Sequence, residues 1–121
     1  MREIKFRAWI KEEKKMLPVQ NLDFLCEYAD VRESYNLYLW DFKEIELMQF
    51  TGLQDEKGID IYEGDILSLP NKDIAVVIWS PPRFILQRYR RIYQDLRLEH
   101  WSKYNKIIGN IYENPELLEV K

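Results

Sequence analysis

The sequence predicts a mainly β fold, a small barrel or sandwich with at most short helical turns, and three observations lead there. Apolar and polar residues alternate with a period of two in several short runs, the pattern of a strand with one face in a core and the other in water. Clusters of Gly, Asn, Asp and Pro separate those runs at close intervals, so the chain reverses often. The most β-prone run, Ile74-Ala75-Val76-Val77-Ile78-Trp79, is rich in β-branched residues whose stiff side chains suit a pleated surface.

The first strand is read at Ile4, Phe6, Ala8 and Ile10, which alternate with Lys5, Arg7 and Trp9. Lys11-Glu12-Glu13-Lys14-Lys15 is a charged turn. Met16-Leu17-Pro18-Val19 is expected to return as a short edge strand, because Pro18 has no N–H to donate inside a sheet. Residues 21–36 are ambiguous: Leu22, Leu25, Cys26 and Ala29 have a loose helical spacing without a clean cap or a sustained stripe. Residues 35–40 favour strand, 40–45 a single helical turn, and 47–51 a strand again.

Gln54-Asp55-Glu56-Lys57-Gly58 closes a hairpin in which Gly58 supplies a φ > 0 position, and residues 59–62 form the partner strand. Glu63-Gly64-Asp65 then turns the chain into residues 66–69, with Gly64 giving backbone freedom and Asp65 accepting from turn N–H groups. Residues 70–73 turn once more before the 74–79 run, and Pro81-Pro82 forbids a helix through it. Over 84–98 two patterns compete. Ile85, Tyr89, Ile92 and Leu96 fit a helix, whereas Phe84, Leu86 and Arg88 alternate with Ile85, Gln87 and Tyr89 as in a strand. The closing Ile108-Gly109-Asn110-Ile111-Tyr112-Glu113-Asn114-Pro115 sets Gly109 among polar turn residues, another tight corner.

At 121 residues with 46% hydrophobic content, the chain fits one domain, or a core with a small appendage, and can bury a core without staples. Cys26 is the only cysteine, so no internal disulfide and no thiolate zinc site is expected, which suits a reducing cytoplasm. No apolar run approaches the roughly 20 residues of a membrane helix. The charged start lacks the apolar stretch of a signal peptide. The net charge of −3 is unevenly placed: residues 41–75 hold three Lys against nine acidic groups, and residues 76–121 hold eight basic against five acidic groups.

No catalytic constellation emerges. Asp55, Glu56, Asp60, Glu63 and Asp65 are dense enough to suggest a divalent cation, but Lys57 and Ile59 interrupt the alternation that a Ca²⁺ loop needs. The blander expectation is that Asp55 and Asp65 bind turn N–H groups. His100 is the sole histidine and nothing local pairs it with Cys26. Ser34, Ser68, Ser80 and Ser102 sit in no nucleophile elbow. The chain is therefore expected to be no enzyme and to need no cofactor or metal.

The stronger signal is electrostatic. Between residues 83 and 106, Arg83, Arg88, Arg90, Arg91, Arg97, Lys103 and Lys106 face only Asp95 and Glu99, with Tyr89, Tyr93, Trp101 and Tyr104 interleaved. Arg for phosphates and aromatic rings for bases is the composition of a single-strand nucleic-acid surface. Arg83, Arg88, Arg90 and Arg91 would contact phosphates, and Tyr89 and Tyr93 would stack. The competing reading is a solvated face whose Arg residues pair with the acidic 41–75 segment of the same or another subunit. A third is self-assembly, through that complementarity or through edge pairing at residues 16–19.

Four blocks, Met1-Arg2-Glu3-Ile4-Lys5-Phe6-Arg7-Ala8-Trp9, Leu47-Met48-Gln49-Phe50-Thr51-Gly52-Leu53, Gly58 with Ile61-Tyr62-Glu63-Gly64-Asp65-Ile66, and Ile108 to Leu117, resemble the YopX family. That family comprises small proteins encoded by bacteriophages and prophages. The resemblance implies a β-rich fold with a small SH3-like barrel over residues 46–121 and an N-terminal hairpin region over 1–45, or one continuous domain. It implies phage or prophage origin and brings no activity and no catalytic residues. A barrel needs strands between Trp79 and Ile107, which favours a strand at 84–90. The combined expectation is a cytoplasmic, non-enzymatic binding or interaction module. Its partner would be a protein, nucleic acid or a second copy, with no role at a membrane.

Overall fold

The computed structural model describes residues 3–69, 73–88, 95–98 and 102–118. By its contacts the chain divides into two compact units, Glu3–Gln49 and Phe50–Lys121. Strands arranged in two antiparallel sheets make up the fold, joined by turns and short 3-10 segments.

In the first unit, β1 (Phe6–Ile10), β2 (Lys15–Asp23), β3 (Tyr28–Glu33) and β4 (Asn36–Asp41) run as an antiparallel meander, each hydrogen-bonded to the next. The first half of β5 (Ile45–Gln54) pairs on the other side of β1, from Ile10↔Ile45 to Phe6↔Gln49. Strand alternation sends Ala8 and Ile10 to the same face as Ala29, Val31 and Ile45, and these five are buried. Leu17, Trp40 and Leu47 pack against them. Fully burying each Val, Leu or Ile contributes about 1.5–3 kcal/mol, so this small cluster suffices to fix the register.

The segment 16–19 is not an edge strand, contrary to the sequence reading. It lies inside β2, between β1 and β3, with Pro18 opposite Arg7. Pro18 is tolerated because the ladder to β3 begins only at Val19 and shifts register before Asn21, so the missing donor falls at a ladder end beside a bulge. The helical spacing over 21–36 also dissolves: β2 ends at Asp23, a turn carries Glu27 at φ 58°, and β3 follows. The predicted single turn near 40–45 is a 3-10 turn, Phe42–Glu44. Asp41 caps it by accepting from the Lys43 N–H at 2.9 Å, and the Glu44 carboxylate accepts from the Asp41 N–H at 3.0 Å.

The second unit contains the rest of β5, β6 (Asp60–Tyr62), β7 (Asp65–Ser68), β8 (Ile74–Ser80), β9 (Arg83–Arg88), β10 (Asp95–Arg97) and β11 (Ile107–Asn110). The second half of β5 pairs with β6, and the remaining five form a sheet in the order β10-β9-β8-β7-β11. Residues 84–88 are strand, not helix: β9 pairs with β8 without a break from Ser80↔Arg83 to Ala75↔Arg88. The β-prone run 74–79 needs a ladder on both edges, and β9 satisfies the second. β7 is buried at three successive residues, Asp65, Ile66 and Leu67, because it lies between β8 and β11. Ile61, Leu67, Leu69, Ala75, Val77, Phe84, Leu86 and Leu98 form its core. Among the described residues the sheet is open, with β10 and β11 at its margins and no closed barrel. No helix among them is long and apolar enough to cross a membrane.

Candidate functional site

The β8–β9 hairpin carries the most distinctive surface of the second unit. Its register leaves Pro81-Pro82, joined by a cis peptide, as the two turn residues and sets Trp79 directly opposite Phe84. Directly opposed residues share a face. The two rings lie 4.9 Å apart at 57°. Phe84 descends into the core, whereas Trp79 stays 48% exposed above it. An indole left this open at the end of a ladder is a platform, since its ring is held from below and free above.

Trp79, Pro82, Arg83 and Phe84 line a cleft of about 250 Å³ together with Thr51, Leu53 and Leu98. Thr51 shapes its wall: the hydroxyl donates to the Ile61 carbonyl oxygen at 2.8 Å and accepts from the Leu53 N–H at 3.2 Å. Exposed Arg83 brings a cation to the rim. The arrangement suits a flat or apolar group laid against the indole, with an anion within reach of the guanidinium.

Of the residues the sequence singled out for nucleic-acid contact, Arg83 is at this cleft and Arg88 ends β9 opposite Ala75. Tyr89, Arg90, Arg91 and Tyr93 lie outside the described residues. Nearby in sequence, the Lys103 ammonium sits 5.4 Å from the centre of the exposed Tyr104 ring, a cation–π contact. Sequence reasoning passed over Trp79, treating it only as the end of the most β-prone run. Its position immediately before Ser80-Pro81-Pro82 was the available signal, because a residue beside the last pair of a ladder has few neighbours beyond it.

The acidic cluster divides into separate structural roles. Asp55, only 5% exposed, accepts from the N–H groups of Lys57 and Ile59 at 2.9 and 3.0 Å through Oδ1, and from Ile107 at 3.0 Å through Oδ2. Burial by itself would push its carboxyl up. The N–H donors of Ile107, Ile59 and Lys57, with the Lys57 charge, outweigh that and hold it below its ordinary value. Asp65, also buried, accepts from the Tyr62 N–H at 2.8 Å, and Asp60 accepts from the Gln54 side-chain amide at 3.0 Å. Among the described residues no group of three or more His, Cys, Asp or Glu side chains converges as a metal site would.

The turn glycines sit at these same corners. Gly58 has φ 78°. Gly64 has φ 89°, its N–H donating to Val77 and its carbonyl accepting from Ile111, so its conformation is fixed from both sides. Gly109 is required by close approach, since a Cβ there would lie 2.5 Å from the Asn114 Oδ1. Around it, buried Asn110 accepts from the N–H groups of Tyr112 and Glu113 and donates to the Glu113 carboxylate. Cys26 is exposed at the β2–β3 turn, and His100 lies outside the described residues.

The family model described as YopX protein matches residues 5–119. The solved structure described as protein EF1440 from Enterococcus faecalis is similar at 28% identity, covering 98% of this chain and 100% of that chain with a TM-score of 0.69. No match to a curated protein was found.

Proposed function

The chain belongs to the YopX family, and from that premise we propose that it is a phage- or prophage-derived, non-catalytic binding module that works in the cytoplasm of the bacterial host. The observation that carries this reading is the exposed Trp79 indole, backed by Phe84 and flanked by Arg83 at an open cleft. The sequence supplies no nucleophile–base pair to set against it, with one histidine and one cysteine in the chain. The reading includes an SH3-like barrel in the second unit, supported by its short antiparallel strands gathered around one core.

The ligand class these groups favour is a single nucleic-acid strand. Trp79 offers a stacking face, Arg83 a phosphate contact, and the Arg- and Tyr-rich sequence that follows extends the same composition. The test is fluorescence anisotropy with a labelled oligonucleotide at about 50 mM salt, where counterion release makes such binding strongest. Affinity should fall steeply as salt rises, and Trp79→Ala should weaken it by roughly 5–100-fold, the value of one lost base stack. Replacing Arg83, Arg88, Arg90 and Arg91 by Ser should abolish it. No anisotropy change with single or double strands, or binding unaltered in these variants, would overturn the nucleic-acid reading.

A further inference from the structure

A separate surface lies on the first unit. β4 is an outer strand of its sheet, hydrogen-bonded to β3 on one side and, among the described residues, to no strand on the other. Protein sheets usually guard such an edge with a central charge, a proline, a bulge or extreme shortness. β4 has none of these. It runs six residues, Asn36-Leu37-Tyr38-Leu39-Trp40-Asp41, in unbroken register with β3, and its only charge is at the last position. The other sheet margins, β6, β10 and β11, are three, three and four residues long. Leu37, Tyr38 and Leu39 are 46%, 47% and 63% exposed.

We infer that β4 pairs antiparallel with β4 of a second copy of this chain, about a two-fold axis through Tyr38. Trp40 packs on the core of its unit, and alternation puts Tyr38 on that face and Leu37 and Leu39 on the other. A two-fold axis normal to the sheet keeps equivalent faces together, so only same-face residues can oppose one another. Centring on Tyr38 sets Leu37 against Leu39 of the second copy twice over, and the two Tyr38 rings against each other. Asp41 then falls opposite the turn residue Tyr35, so no two like charges meet. Centring on Leu39 instead sets Leu37 against Asp41, which buries a carboxylate beside a leucine. In this one register β4 is complementary to itself, which makes a second copy a partner it fits. A single pair of six-residue strands is a small interface, at or below the low end of specific ones, so the dimer is weak and concentration-dependent.

Sedimentation from about 10 μM to 1 mM should show a monomer–dimer equilibrium, as an interface of that size predicts. L37K/L39K sets like charges opposite each other and should raise the dimer dissociation constant by roughly 100-fold or more. L37K/L39E sets Lys opposite Glu in the Tyr38-centred register and should restore dimerisation. Both positions are exposed, so circular dichroism should remain unchanged in either variant. As an independent measurement, Y38C in a C26S background should form a covalent dimer on mild oxidation. A monomer at every concentration overturns self-pairing and leaves the edge to a strand of a different protein. A dimer that survives L37K/L39K, or that L37K/L39E fails to restore, overturns the interface or its register.

Discussion

Asp55 offers a sharp test of how this fold is held. Its carboxylate fastens the 55–59 turn to the start of β11 by three backbone donors, those of Lys57, Ile59 and Ile107. Hydrogen bonds to a charged acceptor are worth about 1.5–3 kcal/mol each. In Asp55→Ala the exposed turn donors regain water and recover much of theirs, while half-buried Ile107 does not. The sum is a loss of about 4 kcal/mol, a large share of the 5–15 kcal/mol that stabilises a typical domain. Asp55→Asn keeps one oxygen but must turn an NH₂ toward at least one donor, so its loss should be about 2 kcal/mol.

The charge adds a pH signature. The folded-state pKa of Asp55 lies below its ordinary 3.8, so on acidification the unfolded chain takes up this proton first. The stabilisation is complete above the unfolded value and disappears as pH falls through the lower, folded one. Urea unfolding of the wild type and Asp55→Asn, followed by far-UV circular dichroism from neutral pH downward, measures both effects. The gap between the two proteins should be constant at neutral pH and narrow below pH ~4. A neutral-pH gap under about 0.5 kcal/mol, or one that persists unchanged at the acid end, would refute the reasoning.

Other expectations concern single contacts. Gly64→Ala forces a side chain onto φ 89° at a residue pinned through Val77 and Ile111, and should cost about 1–2 kcal/mol in urea unfolding. Leu86→Ala, at a fully buried site in the second core, should cost about 2–5 kcal/mol, read as a lowered denaturation midpoint with an unchanged slope. Asp41→Ala removes the N–H acceptor at the 42–44 turn and should cost about 1 kcal/mol, with Asp41→Asn recovering most of it.

The β character and most turns were legible because local chemistry decides them. Period-two alternation located β1, and Asp55, Gly58, Gly64 and Asp65 marked their corners without help from distant residues. Pro18 shows where local reading stops. Its missing N–H argues for an edge only if the ladder on that side continues past it, and a bulge two residues later removes the conflict. Leu22, Leu25, Cys26 and Ala29 mimicked a helix because a strand, a turn and another strand happened to place apolar residues three or four apart. At the cleft, Arg83 was visible as part of a basic run, but Trp79 was not. Its exposure follows from standing beside the last pair of a hairpin, a fact of register.

The pairing of β7 has a temporal consequence. β8 reaches β7 soon after it is made, but β11, which pairs Gly109 with Ile66 and Asn110 with Asp65, is synthesised about forty residues later. At roughly 5–20 residues per second the ribosome leaves that second side of β7 bare for several seconds. Ile66 and Leu67, fully buried at the end, therefore wait beside unpaired backbone while the rest of the chain emerges. β7, next to the margin of its sheet, is the last strand of this unit to be enclosed, which makes the arrival of β11 the step at which a nascent chain either completes its sheet or joins a neighbour's.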